Sequence, residues 1–580
     1  MSTLLKRQNL GCLIALLGAL FLSGCVQVSS TSDDVAQQGS LTFVQAPRVL
    51  PNPNPRVPLA ALIEFETSQP VKAWVDVDDG QRRWTLDFDS AYEAKKSLAI
   101  VGMRADRQHR FTLRLENTSG ARLAANHQLG FTTPPLPVSP LEFPQVKVNV
   151  ANSDKMEPGF TLLSVRRRPV GRGAMFTDKQ FKFAREWGLL LGLDNQGEVI
   201  WYYKNDTRNA GIEQLSNGNL VLHRADFSSI EIDMLGNKVS EWYAGLRPQG
   251  PKANAVAIAG AQTLHHQPHE MPNGHFLGFT ANEKTFDNYY TSEIDPDAPR
   301  KTQTIMGDKI IEFNREGEVL WSWDTFDHLD PFRIGYNTFM AYWHTRGFEG
   351  TLDWTHGNGL DYVADEDAVI ISLRLQDAII KIDRNSGDIV WILGEHSDWP
   401  EHLQSKLLQP QGDLIWPYHA HNPRVSEAGT LVVFDNGMMR ARPFGEGLPP
   451  EEAYSRAVEY KIDEQNMTVT QVWSSEDTPG ETPCNAWAMG DAHRLPSTDN
   501  ILAVYAFCVP RVAGMTWNDW EPTLHVDDFP MGGRVREYAR NSPTEVVFSV
   551  DIEDKNDLLQ WEVYGGFRTP SLYRSNKGTH

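Results

Sequence analysis

The sequence predicts an all-β protein: a six-bladed β-propeller preceded by a small N-terminal β-sandwich. Three observations carry this. A Gly or polar turn followed by an apolar run ending in an aromatic recurs about six times between residues 160 and 575, in "NQGEVIWYY", "LGNKVSEWY", "REGEVLWSW", "SGDIVWILG", "NMTVTQVWS" and "SPTEVVFSV". A second turn-and-strand element precedes most copies, in "LSNGNLVLHR", "MPNGHFLGFT", "DEDAVIISLR", "EAGTLVVFDN" and "STDNILAVYA", with short strands such as "SIEIDM", "KIIEFN" and "IIKIDR" between the two. Four short antiparallel strands per unit, in about six units that bury their faces only against one another, describe a propeller. The composition agrees, since 10% of the 580 residues are aromatic and 44 Gly and 35 Pro supply turns.

The elements follow in order. Lys6 and Arg7 precede the apolar run "LIALLGALFL", and "LSGC" ends at Cys25. A basic region, an apolar region and small residues before a Cys form the pattern of a bacterial lipoprotein signal. Residues 1–25 are therefore expected to direct the chain to the periplasm, with Cys25 lipidated. Val26 follows where an Asp would signal inner-membrane retention, so outer-membrane attachment is expected. Residues 26–40 read as a polar tether. Residues 41–135 alternate apolar and polar positions in runs such as "AALIEFET", "VKAWVDVD" and "HRFTLRLENT", the sandwich signature. The Pro-rich "TTPPLPVSPLEFP" opens a linker, 136–159, and the propeller occupies 160–575. Insertions at about 282–306 and 328–352 are expected as loops over one end of the central channel.

A net charge of −21 argues against nucleic acid as a partner. Contact with a membrane is expected only through the N-terminal lipid. An anionic substrate needs a local positive site that opposes the overall field. Setting aside Cys12 and Cys25, Cys484 and Cys508 remain, and in an oxidising compartment they are expected to form a disulfide.

Innermost propeller strands line the channel, so polar residues in register on them converge. His266 and His421 each lie eight residues before a turn glycine, Gly274 and Gly429, and His356 stands at the matching place in the blade between. Arg374 sits in the apolar run "AVIISLRLQDAIIKID", where a guanidinium needs either an acidic neighbour such as Asp377 or an anionic ligand. Strand alternation puts Asn358 on the same side as His356, and His265 opposite His266. Three imidazoles beside a guanidinium fit chemistry on a sulfonate or phosphate better than a metal, which disfavours a neighbouring cation. Neither a metal nor another cofactor is expected. Trp354, Trp416 and Tyr418 flank the motifs and either stack on a ligand or pack in the blades.

These stretches, with "WDTFDHLDP", "DWTHGNGLDY", "HAHNPRVSEAGTLVVFDNG" and the closing "PSLYR", resemble the bacterial arylsulfate sulfotransferase family across nearly the whole mature chain. The resemblance implies a six-bladed propeller that transfers a sulfuryl group from a phenolic sulfate to a phenolic acceptor without a nucleotide donor. It implies His421 as nucleophile, carrying a sulfohistidine, with His266, His356 and Arg374 as catalytic partners and Asn358 as a substrate contact. The sequence departs from the family pattern at Ala420, where Gln is common, and by the extra His419. Pro268 and His269 leave open which of His266 and His269 faces the channel. An aryl sulfate hydrolase and a non-catalytic binding propeller stand as alternatives, and homodimerisation is left open.

Overall fold

A computed structural model describes residues 40–573, apart from 171–176, 341, 481–482, 510–530, 542 and 557. The expected signal segment, Cys25 and all of the tether but residue 40 lie outside the described residues.

Residues 43–132 form six strands in one hydrogen-bonded sheet. Ala61–Asp78 buries alternate residues, among them Ile63, Phe65, Val75 and Val77. It pairs along its length with Arg83–Ile100, and the pairing register breaks between Glu66 and Val71. Its first half pairs on the other edge with Phe43–Pro51 and its second half with Gln108–Asn117. The sheet therefore bends around its own core as a half-barrel, rather than splitting into two stacked sheets. It docks on the propeller through Arg104, which is 1% exposed and reaches Asp194, and through Tyr573, whose Oη accepts the Val101 N–H at 3.0 Å.

Six further sheets are the blades. Their innermost strands are Leu559–Thr569, Asn209–Gln214, His265–Glu270, Gly357–Val363, His421–Val425 and Asp491–Arg494. Each touches the next around a closed ring. The first blade joins both ends of the domain, because Leu559–Thr569 pairs with Phe160–Pro169. The stretch expected as a linker contributes the strand Gln145–Ala151, which pairs with Glu545–Glu553 as a fifth, outer strand of the last blade.

All six aromatic-ended repeats are the fourth strands of their blades. The tryptophans in these strands bridge neighbouring blades. Trp201 Nε1 donates to Met234 O at 2.9 Å, Trp242 to Arg315 O at 2.9 Å, Trp323 to Gly387 O at 2.9 Å and Trp391 to Glu464 Oε1 at 2.7 Å. Each acceptor lies in the turn between the third and fourth strands of the following blade. A buried indole contributes a large apolar surface, worth about 2–3 kcal/mol, but its N–H needs a partner. The repeat meets both demands.

The region 282–306 is loop only at residues 290–300, and its flanks are strand. Phe276–Tyr289 and Lys301–Phe313 pair as one long hairpin through it. Its tip carries Glu293, which accepts the Asn337 N–H at 2.9 Å and so props the 328–352 segment, which does reach the channel. Cys484 and Cys508 are bonded.

Candidate active site

The innermost strands converge on a cavity of about 230 Å³. His266, His356, His421 and Arg374 all line it. The ring centroid of His266 lies 5.6 Å from that of His356 and 6.3 Å from that of His421.

His421 begins its strand and is 2% exposed. Its Nδ1 faces two acceptors, Asn436 Oδ1 at 2.6 Å and His419 O at 3.1 Å, so it carries the proton. The Asn436 amide cannot turn away, because its Nδ2 donates to Ala486 O at 2.5 Å and Met489 O at 2.8 Å. The lone pair is therefore on Nε2, which accepts the Met489 N–H at 3.0 Å. Burial, and then the charge of Arg374, hold the His421 pKa well below the usual imidazole value, so the ring is neutral near pH 7.

His356 is held by Asp353, whose Oδ2 lies 2.5 Å from Nδ1. Nε2 is left for the cavity. His266 is linked at Nδ1 to His265 Nδ1 at 2.9 Å, and His265 Nε2 lies 3.0 Å from Asp308 Oδ1. His266 Nε2 is left as the nitrogen outside this contact. Burial, and then neighbouring imidazoles, hold the His266 pKa well down.

Arg374 opens a short 3-10 turn at the end of an apolar strand. Its Nη2 donates to Asn337 Oδ1 at 2.8 Å, and its Nε has no partner among the described residues. Burial lowers its pKa to about 10, which leaves it charged. Asp377 is not its counter-ion, since Asp377 instead meets Arg442 at 2.8 Å and His419 at 2.9 Å. His419 is thereby a structural histidine. A buried guanidinium with no ion-paired carboxylate among the described residues, and only the more distant charges of Asp353, Asp377 and Glu293 near it, suits an anionic ligand.

Two expectations from strand alternation fail for one reason. His266 and His356 adopt left-handed φ values of 61° and 50°, next to irregular strand pairing. His265 accordingly lines the cavity beside His266. Asn358, expected to contact substrate, lies outside the lining and is fully buried, its Oδ1 accepting from Ser372 Oγ at 2.5 Å. His269 is turned to Glu213 on the neighbouring innermost strand, at 3.0 Å, and of the two it is His266 that lines the cavity. His275 pairs with Glu312 at 2.7 Å. Trp354, Trp416 and Tyr418 do not line the cavity; Trp354 stacks on Phe326 and donates to Arg333 O.

The cavity's aromatic walls are Phe227, Tyr342, Trp487 and Tyr564. Four arginines besides Arg374 line it, namely Arg166, Arg185, Arg208 and Arg346, against the single carboxylate of Asp353. Arg185 ends the helix Asp178–Arg185, whose start is fixed by a capping box between Thr177 and Gln180. Among the described residues no three His, Cys, Asp or Glu side chains converge to hold a metal ion.

The family model described as arylsulfotransferase (ASST) matches residues 145–560. The arylsulfate sulfotransferase AssT of Escherichia coli O6:H1 is 27% identical over 336 residues, covering 48% of this chain and 51% of that protein. Its namesake from Lelliottia amnigena is 25% identical over 338 residues, with the same two coverages. The chain thus spans about half the length of the curated relatives it matches. Similar solved structures include a protein of unknown function from Bacteroides caccae, 12% identical, covering 71% of this chain and all of that one, at a TM-score of 0.35. Another is the β-propeller domain of Cps50 (Swd1) from Myceliophteria thermophila, 10% identical, covering 70% of this chain and 99% of that one, at a TM-score of 0.29.

Proposed function

The chain belongs to the arylsulfotransferase family, whose model spans most of it, and we propose that it is an arylsulfate sulfotransferase working in two half-reactions through His421. An aryl sulfate enters the cavity with its sulfonate oxygens against Arg374 and its ring among the aromatic walls. The neutral His421 Nε2 attacks sulfur, the Met489 N–H yields the lone pair, and the S–O bond to the aryl group breaks. The departing phenolate takes a proton from His356. A phenolic acceptor then returns a proton to His356, and its oxygen takes the sulfuryl group from His421. Atoms and protons balance over the cycle, and the kinetics are ping-pong. Charge moves on to the leaving oxygen in a loose transition state, so a fixed guanidinium and fixed imidazoles supply the catalysis.

The observation that carries this reading is the pinned His421 ring, its lone pair on Nε2, within the same cavity as a buried guanidinium with no ion-paired carboxylate among the described residues. Asp353 orients His356 as a carboxylate orients the imidazole of a hydrolytic triad. The N-terminal signal pattern supports a periplasmic protein anchored through Cys25.

The test uses 4-nitrophenyl sulfate with and without phenol. Wild type releases 4-nitrophenol at a rate that rises with phenol, and His421→Asn releases none while keeping its fold. Release that ignores phenol assigns the site to hydrolysis instead. Full activity in His421→Asn overturns the nucleophile.

A further inference from the structure

The proposed transfer needs one guanidinium for one sulfuryl group, yet the cavity holds five. Arg374 lies deep, beside the histidines. Arg166 and Arg208 share a single counter-ion, since Glu562 Oε2 lies 3.2 Å from Arg166 and 2.7 Å from Arg208. Arg208 Nε has no partner among the described residues. Arg185 and Arg346 have no carboxylate within ion-pair reach among the described residues. Arg185 donates to Thr345 O at 3.4 Å, and Arg346 donates to Tyr342 O at 2.7 Å and Thr345 Oγ1 at 3.3 Å. Burial, and then repulsion from Arg346, lower the Arg185 pKa, so the two cations are close enough to feel one another. A chain carrying a net charge of −21 has collected an excess of positive charge at one cavity and left much of it unneutralised.

Position gives this excess a use. Tyr342 lies between the deep and outer cations. Its ring centroid is 4.5 Å from that of His356, and the Arg346 guanidinium stacks over it at 3.7 Å. An aryl sulfate held at His356 and Arg374 shares its cavity with Arg346 and Arg185, which have no ion-paired carboxylate among the described residues to satisfy them.

We propose that Arg346 and Arg185 form a second anion subsite, and that the phenolic substrates of this cavity carry a carboxylate or sulfonate, on the ring or on a short chain from it, in addition to the transferring oxygen. In a two-step exchange the donor's ring and the acceptor's ring occupy the same place in turn, so the preference applies to both. This inference rests on the sulfotransferase reading. It differs from simple attraction of any aryl sulfate by a positive cavity, because it requires discrimination between neutral and anionic acceptors of equal phenol acidity.

The experiment compares 3-(4-hydroxyphenyl)propanoate with its methyl ester as acceptors from 4-nitrophenyl sulfate. The subsite gives the acid about a tenfold advantage in kcat/KM, the scale of two partly exposed ion pairs. The double variant Arg185→Gln with Arg346→Gln brings the acid-to-ester ratio to near one. Equal use of acid and ester by wild type, or an intact preference in the double variant, overturns the proposal. Transfer to phenol itself is run in parallel, and its failure counts against the sulfotransferase reading. In that event calorimetric binding of 3-(4-hydroxyphenyl)propanoate decides the subsite: tighter binding than the ester, lost in the double variant, supports it, and equal binding overturns it.

Discussion

Asn436→Ala separates the orientation of His421 from its mere presence. The amide makes three buried hydrogen bonds, one accepted from His421 Nδ1 and two donated to Ala486 O and Met489 O. Its removal leaves the two carbonyls without that donor in a buried setting. Each unsatisfied group costs about 1–3 kcal/mol, and partial relaxation leaves a net loss of about 3 kcal/mol in folding stability. The kinetic effect is separate. Without Oδ1, Nδ1 keeps only the His419 carbonyl at 3.1 Å, and the ring is free to rotate Nε2 away from sulfur. Misplacing a nucleophile on this scale lowers the rate about a hundredfold to a thousandfold, or about 3–4 kcal/mol of barrier. The assay is a single turnover with excess enzyme, following 4-nitrophenol release from 4-nitrophenyl sulfate, with urea unfolding measured beside it. A variant that is folded and releases nitrophenol at the wild-type rate refutes the claim that Asn436 holds the nucleophile in place.

Asp353→Asn removes the carboxylate from His356 Nδ1, so discharge of the sulfuryl group to phenol falls about a hundredfold or more, while loading from 4-nitrophenyl sulfate, with its good leaving group, changes little. Separate rapid-mixing measurements of the two half-reactions check this, and equal losses in both contradict the assigned role. The buried histidines also predict opposite pH effects on stability. His223 is pushed down to about 3 by burial, so the unfolded chain binds a proton below pH 6.5 that the folded protein refuses. Its contribution is full above pH 6.5 and is lost as pH falls from there towards 3, about 2 kcal/mol by pH 5. His269 is raised by Glu213, which outweighs burial, so its contribution is full below pH 6.5 and is lost as pH rises through its folded value. Urea unfolding across pH 4.5–9 should therefore show a flatter acid limb in His223→Gln and a deficit confined to acidic and neutral pH in His269→Asn. Curves parallel to wild type contradict both.

The propeller is legible in the sequence because one physical task repeats. Each blade needs an aromatic that fills the gap to its neighbour and an indole or ring edge that meets the next turn, so Trp201, Trp242, Trp323 and Trp391 recur at the ends of apolar runs. His266 and His421 are legible because each stands eight residues before a turn glycine, His356 because it holds the corresponding place in the blade between, before a slightly longer turn, and Arg374 because charge is out of place in its strand. The missing parts arise where local pattern carries no information. Left-handed backbone at His266 and His356 breaks the two-residue alternation, which misplaces His265 and Asn358. Tyr564 and Arg166 belong to the blade assembled from both ends of the domain, whose register cannot be read from adjacent sequence. Tyr342 and Arg346 come from an insertion outside the repeat. Asn436 carries a weak signal, because polar residues closing an apolar second strand mark the channel at Arg374 and His223 as well. The half-barrel reads as a sandwich because its strands alternate in the same way. One bent sheet is distinguished from two by the continuity of Ala61–Asp78 across the register breaks between Glu66 and Ala73.

The central claim is that the sulfuryl group travels on His421. The direct measurement is peptide mass mapping of the protein after brief exposure to 4-nitrophenyl sulfate alone, followed by a chase with phenol. The account predicts one sulfuryl group on the peptide containing His421, present before the chase and gone after it. A sulfuryl group on another residue, or nitrophenol release in a single turnover with no adduct at any time, contradicts it.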